Sequence, residues 1–150
     1  MTGVEIVLAV LVLSTAFGLV QRARSGRVRA VSPAAAPAAA PAEDSLHPVL
    51  AALGEQPGER ATLLQFSSAF CAPCRATRRV LGEVAAAVPG VRHVEVDAEQ
   101  HLDVVRQLKI LKTPTTLVLD AEGRVTARAA GQPRKEAVLA ALGNAVPPAP

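Results

Sequence analysis

The 150-residue sequence contains no tryptophan, no tyrosine and only three phenylalanines. Surfaces that bind nucleic acids usually combine a basic face with interleaved aromatic side chains, so this composition argues against nucleic-acid binding. The lack of aromatic residues also means that valine, leucine, isoleucine and alanine must build the hydrophobic core. The length leaves room for one domain of about 100 residues with attached segments.

Cysteine is also scarce, and its two copies are Cys71 and Cys74. A structural zinc site needs four ligands, and His47, His93 and His101 form no closely spaced histidine pair that could complete one. An inert disulfide across so short a loop would remove little chain entropy from the unfolded state. The sequence therefore favours a redox-active cysteine pair, and it predicts no metal site and no cofactor beyond that pair.

Lysine and arginine are missing from the first residues, Met-Thr-Gly-Val-Glu, which precede an apolar run from Ile6 to Val20. The run is near the lower length limit of a membrane span. A cleavable signal peptide usually has a basic start, so the sequence favours an uncleaved transmembrane anchor over residues 1–21. A signal peptide and a buried helix of a soluble protein are the alternatives.

Basic residues follow the apolar run directly, at Arg22, Arg24, Arg27 and Arg29. Because basic flanks of a span stay on the cytoplasmic side, this pattern predicts a single-pass protein of the cell membrane with its domain in the cytoplasm. An extracytoplasmic domain is the alternative. Residues 22–45 are predicted to be this basic flank and an Ala/Pro-rich linker, which acts as an extended spacer because regular prolines forbid a continuous helix.

Residues 46–143 alternate between helix and strand patterns, and residues 144–150 are predicted to be a Pro-rich tail. The order α-β-α-β-α-β-β-α predicts an α/β fold with a mixed central sheet and helices on both faces. The predicted elements are a helix at Pro48–Leu53, a strand at Thr62–Ser67, a helix at Pro73–Val88, a strand at Val91–Val96, a helix at Leu102–Leu108, strands at Thr115–Leu119 and Arg124–Ala129, and a helix at Pro133–Leu142.

The cysteines lie between a predicted strand and a predicted helix, in the sequence Cys71-Ala72-Pro73-Cys74. A helix N-terminus has unpaired amides and the positive end of the helix dipole, and both favour the thiolate form of Cys71. Pro73 suits the first turn of a helix, where its missing N–H is not needed. A Cys-x-x-Cys beside a βαβ pattern is typical of dithiol–disulfide exchange.

The segment from Leu46 to Leu142 resembles the thioredoxin family. The resemblance rests on the Cys-Ala-Pro-Cys motif, on Thr113-Pro114-Thr115 just before a strand, and on Gly123 and Gly131. It implies a thioredoxin-like fold with Cys71 as the nucleophile and Cys74 as the resolving cysteine. It also implies a cis peptide bond before the loop proline and a substrate-binding surface formed by Phe70, Ala72, Pro73, Thr113 and Pro114.

The sequence departs from the family pattern near the site. Phe70 stands where the family usually has tryptophan, and Gln65 occupies the place of a buried acid that assists proton transfer. The resemblance aligns His93 with the family's companion lysine, which makes it a candidate for proton transfer because histidine titrates in a suitable range. Arg78 is interpreted as part of a solvated helix face. Glu95 and Asp97 lie on one strand face but have no matching partner, so the sequence argues against catalytic acid pairing.

The resemblance and the anchor together imply a membrane-anchored, monomeric thiol–disulfide oxidoreductase that reduces disulfides in protein substrates. Its dithiol would be recharged by thioredoxin reductase or by another dithiol donor. Two alternatives remain open. One is an exported thiol–disulfide oxidoreductase of the cytochrome-maturation type, and the other is a low-turnover binding module with the same fold.

Overall fold

The computed structural model describes residues 2–24, 26–30 and 45–146. Its first element is an apolar helix, α1, which spans Thr2–Arg24. The stretch Gly3–Gln21 is exposed throughout and is long and apolar enough to cross a membrane, although a signal sequence would satisfy the same criteria. Most of the predicted Ala/Pro-rich linker, residues 31–44, and the end of the predicted tail, residues 147–150, lie outside the described residues.

The elements of the domain follow the predicted order, with one additional strand near the N-terminus. Their bounds differ from the predicted ones by a few residues at most, and the last helix continues past residue 143. The elements are β1 Val28–Ala30, α2 His47–Ala52, β2 Ala61–Ser67, α3 Ala72–Ala87, β3 Val91–Asp97, α4 Leu102–Gln107, β4 Thr115–Asp120, β5 Val125–Ala130 and α5 Lys135–Ala145.

The strands form one mixed sheet in the order β1-β5-β4-β2-β3, which confirms the predicted fold class. β2 and β3 are parallel, whereas β2–β4, β4–β5 and β5–β1 are antiparallel. All seven residues of β2 are buried, because the strand has neighbours on both edges and helices on both faces. Phe66 of β2 lies opposite Thr115 of β4, so the end of β2 and the start of β4 share one end of the sheet.

Two hydrophobic clusters fill the space between the sheet and its helices, since alternate strand residues point to opposite faces. The first cluster joins the sheet to α2 and α4, and the second joins it to α3 and α5. The first includes Leu50, Leu64, Phe66, Val104, Leu117 and Leu119. The second includes Leu63, Leu81, Val84, Val118, Val138 and Leu142.

The additional strand, β1, lies within residues 22–45, for which the sequence predicts a basic flank and a spacer. It pairs antiparallel with β5, and Val28 lies opposite Ala129. The basic flank is therefore not wholly separate from the domain, because β1 is part of the sheet. The predicted Ala/Pro-rich spacer falls mainly on residues 31–44, which lie outside the described residues.

Candidate active site

The two cysteines lie at the junction between β2 and α3, where Cys71 is the N-cap residue of α3. A disulfide joins them, and their Cα atoms are 5.2 Å apart. Cys71 is partly exposed, whereas the exposed fraction of Cys74 is only 2%. A substrate sulfur can therefore approach the first cysteine more easily than the second.

The first turn of α3 directs hydrogen-bond donors toward Cys71. The backbone N–H of Cys74 donates to the Cys71 Sγ at 3.1 Å. Ala72 and Pro73 complete this turn and are both exposed. Because thiolates are stabilised by amide donors and by the positive end of a helix dipole, the turn favours ionised Cys71 after reduction of the disulfide.

The loop before β4 lies next to the cysteine loop. Its Thr113–Pro114 peptide bond is cis, as the sequence resemblance implied. The Oγ1 atom of Thr113 is 2.9 Å from the Oγ atom of Ser68, which directly follows β2 and precedes the cysteines. Pro114 is buried, and its carbonyl accepts a hydrogen bond from the Gly131 N–H at 2.7 Å.

The residues predicted to bind substrate thus come from two loops at one end of the sheet. Pro73, Thr113 and Pro114 line the same groove. Phe70 is fully exposed beside Cys71, and 93% of Leu111 is exposed near the cis-proline loop. Apolar side chains in such positions can contact an extended polypeptide.

A buried polar side chain, Gln65, lies beneath the cysteines. Its Nε2 atom donates to the Oγ of Ser67 at 2.8 Å and to the carbonyl oxygen of Cys74 at 3.0 Å. Its Oε1 atom is 3.0 Å from the Nε2 of His93. The glutamine therefore ties β2 to the first turn of α3, and its amide is aimed at the backbone of Cys74 rather than at the sulfur.

Glu95 extends this polar network to the surface. It accepts hydrogen bonds from the Ser67 hydroxyl at 2.6 Å and from Arg78 Nη2 at 2.8 Å, and the Arg78 Nε forms a further ion-pair contact. Burial by itself would raise the pKa of Glu95, but hydrogen bonds from Arg78 and Ser67 together with nearby positive charge hold it below its usual value. The carboxylate is consequently ionised at neutral pH.

These contacts correct one sequence interpretation, because Arg78 is tied to the site rather than simply solvated. They also give Glu95 hydrogen-bond partners, Ser67 and Arg78, that the sequence did not predict. In the register of β2 and β3, Gln65 lies opposite Glu95, while His93 lies opposite Leu63. Glu95 is thus the direct cross-strand neighbour of the glutamine. A signal was available, because His93 and Glu95 are two residues apart and must share a sheet face.

His93 is half-buried and lies near the site. Its hydrogen-bond partner is the side chain of Gln65 rather than a cysteine sulfur. Burial lowers the pKa of His93, while the charge of Glu95 raises it less. The neutral imidazole is therefore favoured at neutral pH. Its proton-transfer role remains a prediction.

A cleft of about 400 Å³ connects the disulfide to the polar network. Cys71, Cys74, Ser67, Arg78 and Glu95 all line it. Water or a substrate group in this cleft would meet both sulfurs and a carboxylate. Within the described ranges, no group of three or more His, Cys, Asp or Glu side chains could hold a metal ion.

A family model described as Thioredoxin matches residues 53–144, which is more than half of the chain. The chain belongs to the thioredoxin family. The Cys71–Cys74 disulfide, the cis-proline loop and the mixed sheet agree with this membership.

Curated relatives and solved structures show the same likeness. Thioredoxin domain-containing protein 2 from Homo sapiens is 33% identical over 89 residues, which are 59% of this chain and 16% of that protein. Thioredoxin-2 from Pyricularia oryzae is 30% identical over 80 residues, which are 53% of this chain and 47% of that protein. The chain thus spans less than half the length of both relatives.

Two solved structures share the fold. The thioredoxin NaTrxh from Nicotiana alata has a TM-score of 0.53 at 21% identity, covering 59% of this chain and 76% of that chain. Mitochondrial thioredoxin 3 from Saccharomyces cerevisiae, in its oxidized form, has a TM-score of 0.51 at 20% identity, covering 57% and 79%. At these identities the likeness concerns the fold alone.

Proposed function

We propose that this protein is a thiol–disulfide oxidoreductase held in a membrane by α1. The observation that carries the proposal is the pairing of a partly exposed Cys71, at the N-terminus of a 16-residue helix, with a buried Cys74. An exposed, thiolate-favouring sulfur suits attack on a substrate, and a shielded second sulfur suits resolution. Membership of the thioredoxin family supports the same chemistry.

The exchange proceeds in two steps. The Cys71 thiolate attacks one sulfur of a substrate disulfide, and the other substrate sulfur leaves as a thiolate that takes up a proton. Cys74 then loses its proton and attacks the Cys71 sulfur, which breaks the mixed disulfide and releases the second substrate thiol. Two electrons have passed from the protein dithiol to the substrate, and the Cys71–Cys74 disulfide has formed.

The substrates are disulfides in proteins close to the membrane, and a thioredoxin reductase or another dithiol donor restores the dithiol. The four arginines that follow the apolar stretch favour a domain on the cytoplasmic side. No further cofactor is needed, because the cysteine pair carries both electrons. The groove with Pro73 and Pro114 offers backbone and apolar contacts to an extended substrate.

Disulfide reduction by the full chain in detergent tests this proposal. Insulin serves as substrate and dithiothreitol as donor, and mixed disulfides are detected by mass spectrometry. Cys71→Ser should abolish reduction, whereas Cys74→Ser should accumulate the mixed disulfide because the resolving thiol is missing. Reduction at the parental rate by Cys71→Ser would contradict the mechanism, and so would a parent that reduces nothing.

The reduction potential of the cysteine pair separates a reductase from the exported alternative. Equilibration with a glutathione buffer should give a value near that of reducing thioredoxins, about −270 mV. A value between about −180 and −120 mV would instead indicate an oxidant or isomerase and would argue against a cytoplasmic domain.

A further inference from the structure

The path of the chain from α1 into the sheet determines which end of the domain lies nearest the anchor. β4 begins at Thr115, directly after the cis-proline loop, and Ala130 at the end of β5 lies opposite Thr115. β1 is antiparallel to β5, so Val28 at its start lies at this same end, opposite Ala129. The helix α1 ends at Arg24, close before β1 in the sequence. The anchor therefore enters the sheet at the redox end.

Backbone hydrogen bonds hold the chain between α1 and β1 beside the cis-proline loop. The Gly26 N–H donates to the Ala130 carbonyl at 2.8 Å, and the adjacent Gly131 N–H donates to the Pro114 carbonyl at 2.7 Å. Gly26 has a φ of 78°, and a Cβ atom there would lie 1.9 Å from the carbonyl oxygen of Gln132. Only glycine fits such an approach, so the first residue described after α1 is packed against the segment that supports the cis-proline.

The groove beside the redox site continues to the anchor. Its volume is about 1390 Å³, and its lining includes Pro73 and Pro114 of the two site loops together with Leu19 of α1. Leu19 lies within the stretch that is apolar enough to cross a membrane. With α1 in the membrane, as proposed above, a groove that reaches from the cysteine loop to this stretch would open near the bilayer surface.

The charge of the groove is basic. Arg27, Lys112 and Arg134 line it together with one acidic residue, Glu136. An occupant with acidic side chains would complement this excess of positive charge.

We propose that the redox site faces the bilayer and acts on an integral membrane protein, whose acidic segment next to a membrane span carries the disulfide. This inference rests on the proposed thiol–disulfide exchange and adds the location and kind of its substrate. The bonds formed and broken are those of the two exchange steps given above. The opposite end of the sheet, with the turn between β4 and β5, lies about 20 Å farther from the bilayer, since β4 has six residues.

Fluorescence quenching by headgroup-labelled lipids tests the orientation. The full chain carries Cys71→Ser, Cys74→Ser and one new cysteine for a fluorophore, either by Leu111→Cys near the site or by Ala121→Cys in the distant turn. Both positions are exposed, so the two variants form a matched pair. In vesicles with nitroxide headgroups, the label at position 111 should be quenched several-fold more strongly. Equal quenching, or stronger quenching at position 121, would overturn the proposal.

A flexible insertion after Arg24 tests the substrate. About 12 Gly/Ser residues would lift the domain away from the bilayer and let it turn. The substrates are a transmembrane peptide with a Glu-flanked disulfide loop next to its span, the same peptide with Lys flanks, and soluble insulin. The insertion should slow reduction of the Glu-flanked peptide about tenfold, because effective concentration falls, and should leave insulin reduction unchanged.

The outcomes separate the two proposals. Absence of insulin reduction by the parent chain would contradict the proposed function, while the quenching comparison would still decide which end faces the bilayer. Normal insulin reduction with no effect of the insertion on the Glu-flanked peptide would overturn the membrane substrate alone. Faster reduction of the Lys-flanked peptide would overturn its acidic character.

Discussion

Replacing Gln65 with glutamate should destabilise the protein in a way that depends on pH. Gln65 is fully buried, and its Nε2 atom donates to Ser67 and to the Cys74 carbonyl. A glutamate has the same shape but offers two acceptors in the ionised form. It would therefore lose both donated hydrogen bonds and bring a second negative charge beside Glu95.

The magnitude follows from the distance between the two side chains. Gln65 Nε2 is 3.5 Å from Glu95 Oε1, and two negative charges at this separation repel by about 5 kcal/mol at an effective dielectric constant of about 20. Arg78 offsets part of this repulsion. Protonation limits the remaining penalty, because protonating a carboxyl group with an ordinary pKa of about 4.3 at pH 7 requires about 4 kcal/mol of free energy. With one hydrogen bond still lost, Gln65→Glu should cost about 3–5 kcal/mol at pH 7.

The sign of the pH dependence distinguishes this charge effect from poor packing. The new carboxyl is protonated more readily in the folded state than in the unfolded state, so its penalty grows as pH rises above about 4.3. The free energy of unfolding of the variant, relative to the parent, should fall by up to about 1.4 kcal/mol per pH unit. Near pH 4.3 the remaining cost should be about 1 kcal/mol, from the one lost hydrogen bond.

Urea unfolding of the full chain in detergent, followed by far-UV circular dichroism, measures these values. Intrinsic fluorescence is unsuitable because the sequence has no tryptophan or tyrosine. Gln107→Glu is the matched control, since Gln107 is exposed on α4 and the same change there should alter stability by about 0.5 kcal/mol or less. A penalty for Gln65→Glu that does not change with pH, or one below about 1 kcal/mol at pH 7, would refute the reasoning.

Three further substitutions test other parts of the structure by the same unfolding assay. Glu95→Gln should lower the free energy of unfolding by about 1–2 kcal/mol above about pH 4.5. Because the pKa of Glu95 is lowered in the folded state, this loss should disappear as pH falls through the folded pKa. A loss that does not depend on pH would contradict the prediction. The parent protein should lose stability as pH falls through about 6.5, since burial lowers the folded pKa of His93 and the unfolded state binds the proton first. His93→Gln should remove this loss, and an unchanged pH profile of the free energy of unfolding would argue against the prediction. Gly26→Ala should destabilise the protein more than Gly54→Ala. Both glycines have positive φ, but only at Gly26 would the added Cβ meet backbone atoms. We expect losses of about 1–3 kcal/mol at Gly26 and about 1 kcal/mol at Gly54, and equal losses would contradict the docking of β1.

The sequence was a good guide to those elements whose pattern is local. β2 combines apolar residues with Thr62, Gln65 and Ser67 in a short stretch that ends before the cysteines, and all seven residues are buried, as expected for a strand covered on both faces. α3 follows a cysteine and contains a proline in its first turn, which indicated its start to within one residue. In both cases neighbouring residues in the chain carry the information.

β1 could not be predicted in the same way. Val28–Ala30 has three residues, two of which are exposed, and shows no alternating pattern. It is a strand because the edge of β5 offers unpaired backbone groups and because Gly26 can approach Gln132 closely. The partner lies about a hundred residues away in the sequence, and nothing within the strand identifies it.

The polar network illustrates the same limit at the site. Arg78 and Glu95 looked like surface charges because each was judged from its own helix or strand. Parallel pairing of β3 with β2 brings Glu95 beside Gln65, and packing of α3 on the same sheet face brings Arg78 to Glu95. The lowered pKa of Glu95 is a consequence of this convergence.

The sequence by itself determined the reactive pair, because two cysteines separated by two residues at the start of a helix are brought together by the local backbone alone. It also determined the apolar N-terminal helix and the alternation of helices and strands. Only the tertiary structure decided which groups surround the sulfurs, and that α1 leads into the sheet at their end. Those features depend on pairing between strands far apart in the chain, and such pairing is selected by the whole sheet rather than by any one segment.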